Sequence, residues 1–129
     1  MTPDQYLKES ARTENTPSFL RDSFSDSVVG TNRAALLHAS LGMQTECAEF
    51  ADAMKKNLIY GKILDEINLT EELGDILWYI ALACRTMGVT FEQLFDQNTA
   101  KLKVRFPEKF TEEKALNRDL EAERKALEK

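Results

Sequence analysis

Four acidic residues stand in two pairs with the same internal spacing, Glu46 with Glu49 and Glu72 with Asp75. Residues three apart on a helix share a face, with β-carbons about 5–6 Å from each other, so each pair can converge on one ion. If residues 58–69 turn the chain back on itself, two helices pack antiparallel and all four carboxylates face one another. Four such charges repel across a helix pair unless cations lie between them. Oxygen-only ligands select hard cations, and magnesium keeps part of its shell for water and substrate phosphates, with manganese as a possible substitute. Acids three apart are also common as solvated helix charges. The setting separates these four from that background: Glu72 and Asp75 open the most apolar stretch of the chain, and Glu49 is flanked by Ala48, Phe50 and Ala51. Carboxylates kept beside a core tend to serve a purpose.

Other residues of chemical interest lie along the same helical stripes. His38, Gly42, Glu46, Glu49 and Lys56 fall near one line, with Gly42 leaving space where a side chain would intrude. His38 and Lys56 are candidates for substrate contact, and His38 can equally pack at the edge of the core. Tyr79 follows Asp75 by four residues, next to Trp78. This aromatic pair can stack on a base or belong to a core or interface. Further on, Lys101, Lys103, Arg105 and Lys109 meet only one acid, Glu108. Asn98, Lys101 and Arg105 share a helical face, presenting an amide, an ammonium and a guanidinium suited to phosphate oxygens.

The elements that must position these groups read as helices. A short one begins near Pro3 and Asp4 and runs to about residue 14, with Tyr6, Leu7 and Ala11 on one face. From Asn15 to Thr31 the residues Asn, Thr, Pro, Ser, Asp and Gly punctuate the chain, predicting a loop with one helical turn near Phe19 to Phe24. The first strong helix is expected from about Asn32 to Asn57. A second runs from about Thr70, read as its cap, to Met87 before Gly88. It carries no charge between Asp75 and Arg85, which suits the middle of a bundle or a subunit interface. Thr90 caps a third helix over Phe91 to Val104, ended by Phe106-Pro107. Residues 111–129 mix charges of both signs around a thin seam of Leu116, Leu120 and Leu127, helical only if that seam docks. No segment alternates with period two, so the fold class is all-α: a bundle of about four to five helices with an antiparallel central pair. The expected organisation is one domain, 1–129, comprising an N-terminal helix and loop (1–31), a helical core (32–110) and a charged tail (111–129).

Composition narrows the function classes. With 17 basic and 22 acidic residues the net charge is −5, which disfavours general affinity for nucleic acid. Any phosphate binding is therefore local, from a few cations or from a metal that inverts the field. No run of about 18 apolar residues is present to span a bilayer and the N-terminus lacks signal-peptide blocks, so no membrane is expected and the cytoplasm is the default compartment. Cys47 and Cys84 sit among apolar neighbours and read as small buried hydrophobes, without the spaced partners of a zinc site.

Taken together, Glu46-Cys47-Ala48-Glu49, then Glu71-Glu72-Leu73-Gly74-Asp75 running on to Trp78-Tyr79, then Asn98 to Lys101-Leu102 and Arg105-Phe106-Pro107, resemble the MazG-like family of all-α nucleoside triphosphate pyrophosphohydrolases. That family's signature is a Glu-x-x-Glu pair, a Glu-x-x-Asp pair after a short gap, and a later Lys-Leu-x-x-Arg-aromatic-Pro segment. The match covers roughly residues 36 to 110. The resemblance implies hydrolysis of an NTP or dNTP between the α and β phosphates, yielding the monophosphate and pyrophosphate with magnesium as cofactor. It makes Glu46, Glu49, Glu72 and Asp75 the metal ligands and catalytic carboxylates, with Asn98, Lys101 and Arg105 as phosphate contacts. One of the carboxylates, or a water it positions, would generate the nucleophile. The resemblance also implies a dimer or tetramer. Two other readings stand beside this one: an enzyme acting on a phosphoribosyl-linked nucleotide, as a related family in histidine biosynthesis does, and a non-catalytic helical adaptor using the apolar second helix and the leucine seam.

Overall fold

The computed structural model describes residues 1–23 and 28–128. Helices account for all of its regular structure, with no strand among the described residues. The chain divides into two compact units, Met1–Gly88 and Val89–Lys129.

The first unit is built on a helical hairpin. Helix α1 (Pro3–Ser10) starts where Pro at its first position and a capping box between Thr2 and Gln5 satisfy free backbone donors, and it tightens into a 3-10 turn over Ala11–Thr13. After α2 (Ser18–Ser23) comes α3 (Val28–Tyr60), four residues longer at its start than the patterning predicts. Gly30 belongs to the punctuated stretch, yet one glycine costs a helix interior only about 1 kcal/mol, which the rest of a 33-residue helix outweighs. Phe24, the end of the expected helical turn, lies outside the described residues.

α3 ends in an αL motif. Gly61 takes φ 65°, Gly61 N–H donates to Asn57 O and Lys62 N–H to Lys56 O, both at 3.1 Å. The Asn57 amide clips the turn by donating to Lys62 O at 2.8 Å. Helix α4 (Glu66–Met87) therefore begins earlier than expected. Asp65, not Thr70, is its N-cap, its carboxylate accepting from Ile67 N and Asn68 N at 3.1 Å each, while the Thr70 hydroxyl donates to Glu66 O inside the helix. Gly88, at φ 69°, closes the far end.

α3 and α4 pack along their length. Small residues dominate the contact: Ala34, Ala39 and Ala81 are fully buried with Leu82, and Cys84 nearly so. At Gly42 the approach is closest, since a β-carbon there would overlap the Tyr79 ring. Cys84 matches the expectation of burial, but Cys47 is exposed. Leu37 and Leu41 on α3, and Leu73 and Leu77 on α4, are likewise exposed.

The second unit holds α5 (Phe91–Arg105), α6 (Glu112–Leu116) and α7 (Leu120–Leu127). Thr90 caps α5 through a capping box with Gln93, as its position predicts. The tail is helical and α7 packs on α5, but not through the expected seam, since Leu116 and Leu120 are exposed. Its buried residue is Glu123, whose carboxylate accepts from Arg105 at 2.8 and 2.7 Å and from Arg118 at 3.3 and 2.6 Å. The two guanidinium forks hold that carboxyl far below the usual range, Arg105 contributing most.

Candidate metal centre

Two acidic pairs on one helical hairpin meet in reversed order. Glu46 shares a cavity of about 380 Å³ with Asp75, Thr13, Trp78 and Tyr79. Glu49 shares another, of about 480 Å³, with Glu72, Asn68, Asp52, Lys56 and Lys62. This exchange of partners is what antiparallel helices impose on two motifs of equal spacing.

Glu46, Glu72 and Asp75 each offer a carboxylate oxygen, and these oxygens lie within 4.8 Å of one another. Glu49 stands outside this group of three. Its charge still reaches it, for Glu46 is pushed above the ordinary carboxylate value first by burial and then by Glu49, Asp75 and Glu72. Glu72 is the deepest, 5% exposed. Its Oε1 accepts from the Asn68 amide at 2.7 Å, one helical turn back. Its Oε2 is the one buried side-chain oxygen or nitrogen, among the described residues, without a hydrogen-bond partner. A buried carboxylate oxygen left bare is costly and calls for a cation or a donor. Three oxygen donors of one charge sign, one of them orphaned, fit a hard divalent ion.

The aromatic candidates stand beside this cluster. Trp78 and Tyr79 meet edge to face at 4.9 Å and 82°. His38 packs against Tyr79 at 5.8 Å and 69°, with Nδ1 3.4 Å from the Thr16 hydroxyl. Lys56 lines the larger cavity but is paired with Asp52 at 2.7 Å. That carboxyl sits at about 2, held down by hydrogen bonds from Lys56 and then Lys55. Asn98, Lys101 and Arg105 all lie on α5 as their spacing predicts, and Arg105 spends its fork on Glu123.

Several residues at or around the cluster have no motif in the sequence. Asn68, Lys62 and Asp52 join the larger cavity, and Thr13 joins the smaller one from the N-terminal segment. Tyr6 reaches across to donate to Gly74 O at 3.3 Å; burial raises its phenol, and the Asp75 charge raises it further. One signal was available: Arg85 is the lone charge in the apolar part of α4, and such a residue needs a partner.

Comparison with curated proteins and with solved structures gave no match. The family model of the MazG nucleotide pyrophosphohydrolase domain matches residues 37–110, a span that contains both acidic pairs and the basic segment. By that match, the chain belongs to the MazG nucleotide pyrophosphohydrolase family.

Proposed function

We propose that this chain is a magnesium-dependent nucleoside triphosphate pyrophosphohydrolase, cleaving an NTP or dNTP between the α and β phosphates to the monophosphate and pyrophosphate. The observation that carries the reading is the cluster of Glu46, Glu72 and Asp75 with its orphaned Glu72 oxygen, in a chain of this family. These three, with Glu49 beside them, would hold magnesium, or manganese in its place. Such an ion supplies charge neutralisation for the phosphates and a more acidic water. Asn68 orients Glu72 by taking one of its oxygens, leaving the other for the ion. Trp78 and Tyr79 offer rings for a base in the smaller cavity. The phosphate-contact role of Asn98, Lys101 and Arg105 rests on the resemblance of sequence, and Arg105 would have to share its fork with Glu123 to take part.

The exposed Leu37, Leu41, Leu73 and Leu77 favour self-association as a dimer or tetramer, because a second copy of the hairpin would cover them. The same leucines keep the helical adaptor as a second reading. No helix among the described residues is long and apolar enough to cross a membrane, and the cytoplasm is the proposed compartment.

The test is a panel of NTPs, dNTPs and a phosphoribosyl-linked nucleotide, incubated with magnesium, with manganese or with EDTA, and products identified by chromatography. Pyrophosphate and a monophosphate are expected with either metal and not with EDTA. Turnover of the phosphoribosyl-linked compound alone would move the reading to that enzyme class. Absence of pyrophosphate from every substrate would leave the adaptor.

A further inference from the structure

The N-terminal segment is joined to α3 and α4 by packing and by hydrogen bonds made over long sequence separations. Arg85 is their hub. Its Nη1 donates to Leu7 O at 3.1 Å and to the Ser10 hydroxyl at 2.6 Å, while Nε and Nη2 donate to one Glu14 oxygen at 3.3 and 3.1 Å. Ser10 and Thr16 are buried. A planar guanidinium can bind a carbonyl, a hydroxyl and a carboxylate at once, which a lysine ammonium cannot do with the same fixed geometry.

This clamp delivers one side chain to the cavity of Glu46 and Asp75. The Thr13 hydroxyl accepts the Trp78 indole N–H at 2.7 Å and donates its own proton to Ser10 O at 3.2 Å. With its proton committed, Thr13 has no donor for a ligand, and its effect is on the indole. Trp78 in turn leans edge to face on Tyr79, whose ring fills the gap at Gly42. The cavity that these rings and carboxylates line, about 380 Å³, falls within the range of small-molecule sites.

We infer that the N-terminal segment is a positioning element of the substrate site: through Arg85 and Thr13 it sets the Trp78 indole as a wall for the base of a nucleotide whose phosphates lie at the neighbouring carboxylates. This rests on the pyrophosphohydrolase reading above. Thr13 and Arg85 are positioning residues, so their loss weakens nucleotide binding and leaves the phosphate chemistry of bound substrate close to its original rate. Losing the one neutral hydrogen bond that orients the indole corresponds to roughly a three- to tenfold rise in KM.

Trp78 is the only tryptophan of the chain, so its fluorescence reports this wall directly. The experiment measures indole emission and steady-state kinetics for the wild-type chain, Thr13→Val, Thr13→Ser and Arg85→Gln. α,β-Methylene nucleoside triphosphates carrying each common base serve as non-cleavable probes. Expected are quenching of Trp78 by a nucleotide probe, a shifted emission in Thr13→Val and Arg85→Gln, and the KM rise with kcat within about twofold. Thr13→Ser, which keeps the hydroxyl, should restore both readouts. Wild-type emission and KM in Thr13→Val and Arg85→Gln would overturn the inference, as would unmoved Trp78 emission at saturating probe in an enzyme that turns over. If no nucleotide is cleaved but the probes quench Trp78 and Thr13→Val weakens them, catalysis is the reading that fails and the wall stands. If no probe quenches it, the wall falls whatever the chemistry.

Discussion

Replacing Glu46 by Gln should make the metal-free protein more stable and the magnesium-loaded protein comparatively less so. The oxygens of Glu46, Glu72 and Asp75 lie within 4.8 Å of one another. At that distance two unit charges repel by about 1 kcal/mol in a water-like dielectric and by about 3.5 kcal/mol at an effective dielectric of 20. Glu46 is partly exposed and Asp75 exposed, which places these pairs toward the screened end. Deleting the Glu46 charge removes both of its repulsions within the cluster, about 2 kcal/mol in all at that end, and that with Glu49 besides. In EDTA this amounts to a rise in Tm of several degrees. Magnesium at about 100 times its Kd stabilises the wild-type fold by about 2.7 kcal/mol, and a site short of one charged ligand gains less. Thermal unfolding by circular dichroism, in EDTA and in magnesium, measures both effects. Glu71→Gln is the control, removing a neighbouring acid outside the cluster, and should move Tm little in either condition. A Glu46→Gln chain that is less stable than wild type in EDTA, yet responds equally to magnesium, would refute the claim that these acids form a repelling set which a cation relieves.

Two helical glycines should respond to alanine with opposite signs. Gly74→Ala meets nothing within 4 Å and should stabilise by about 0.5–1 kcal/mol, whereas Gly42→Ala drives a methyl into the Tyr79 ring and should fall about 1–3 kcal/mol below it; urea unfolding compares them, and equal shifts would contradict the packing. Glu46 titrates above its ordinary 4.5 in the folded chain, so the metal-free fold should lose stability as pH rises from about 4.5 through that raised value, and Glu46→Gln should flatten this slope. Glu123 titrates far below 4.5. Its contribution is therefore complete above 4.5 and lost as pH falls toward the folded value, a slope that Glu123→Gln should remove from an acid melting series. Lys101→Ala should raise KM for nucleoside triphosphates while leaving magnesium-induced stabilisation of the fold unchanged, read by kinetics and by Tm.

Much of this protein was legible because its signals are local. Helical periodicity, the Thr90 cap, Gly88 at a helix end and the three-residue spacing of each acidic pair are all written within a few neighbouring positions. The short connection between the two helices implied the antiparallel meeting, and the space expected at Gly42 is there, filled by the Tyr79 ring. Where a local signal had a competitor nearby the reading slipped, as at α4, where Asp65 caps the helix before Thr70 can.

What only the tertiary structure decided involves groups far apart along the chain. Which three of the four acids draw together, and which oxygen of Glu72 stays bare, depends on how α3 and α4 rotate against each other. The pairing of Arg105 with Glu123 answers to the docking of α7 on α5. The N-terminal segment carried no motif, yet Arg85 meets Leu7 and Ser10, and Trp78 meets Thr13, across more than sixty intervening residues. A hydrogen bond of that kind has no period and no spacing rule. It exists because a half-buried guanidinium and an indole N–H need acceptors, and the fold alone determines which ones lie within reach.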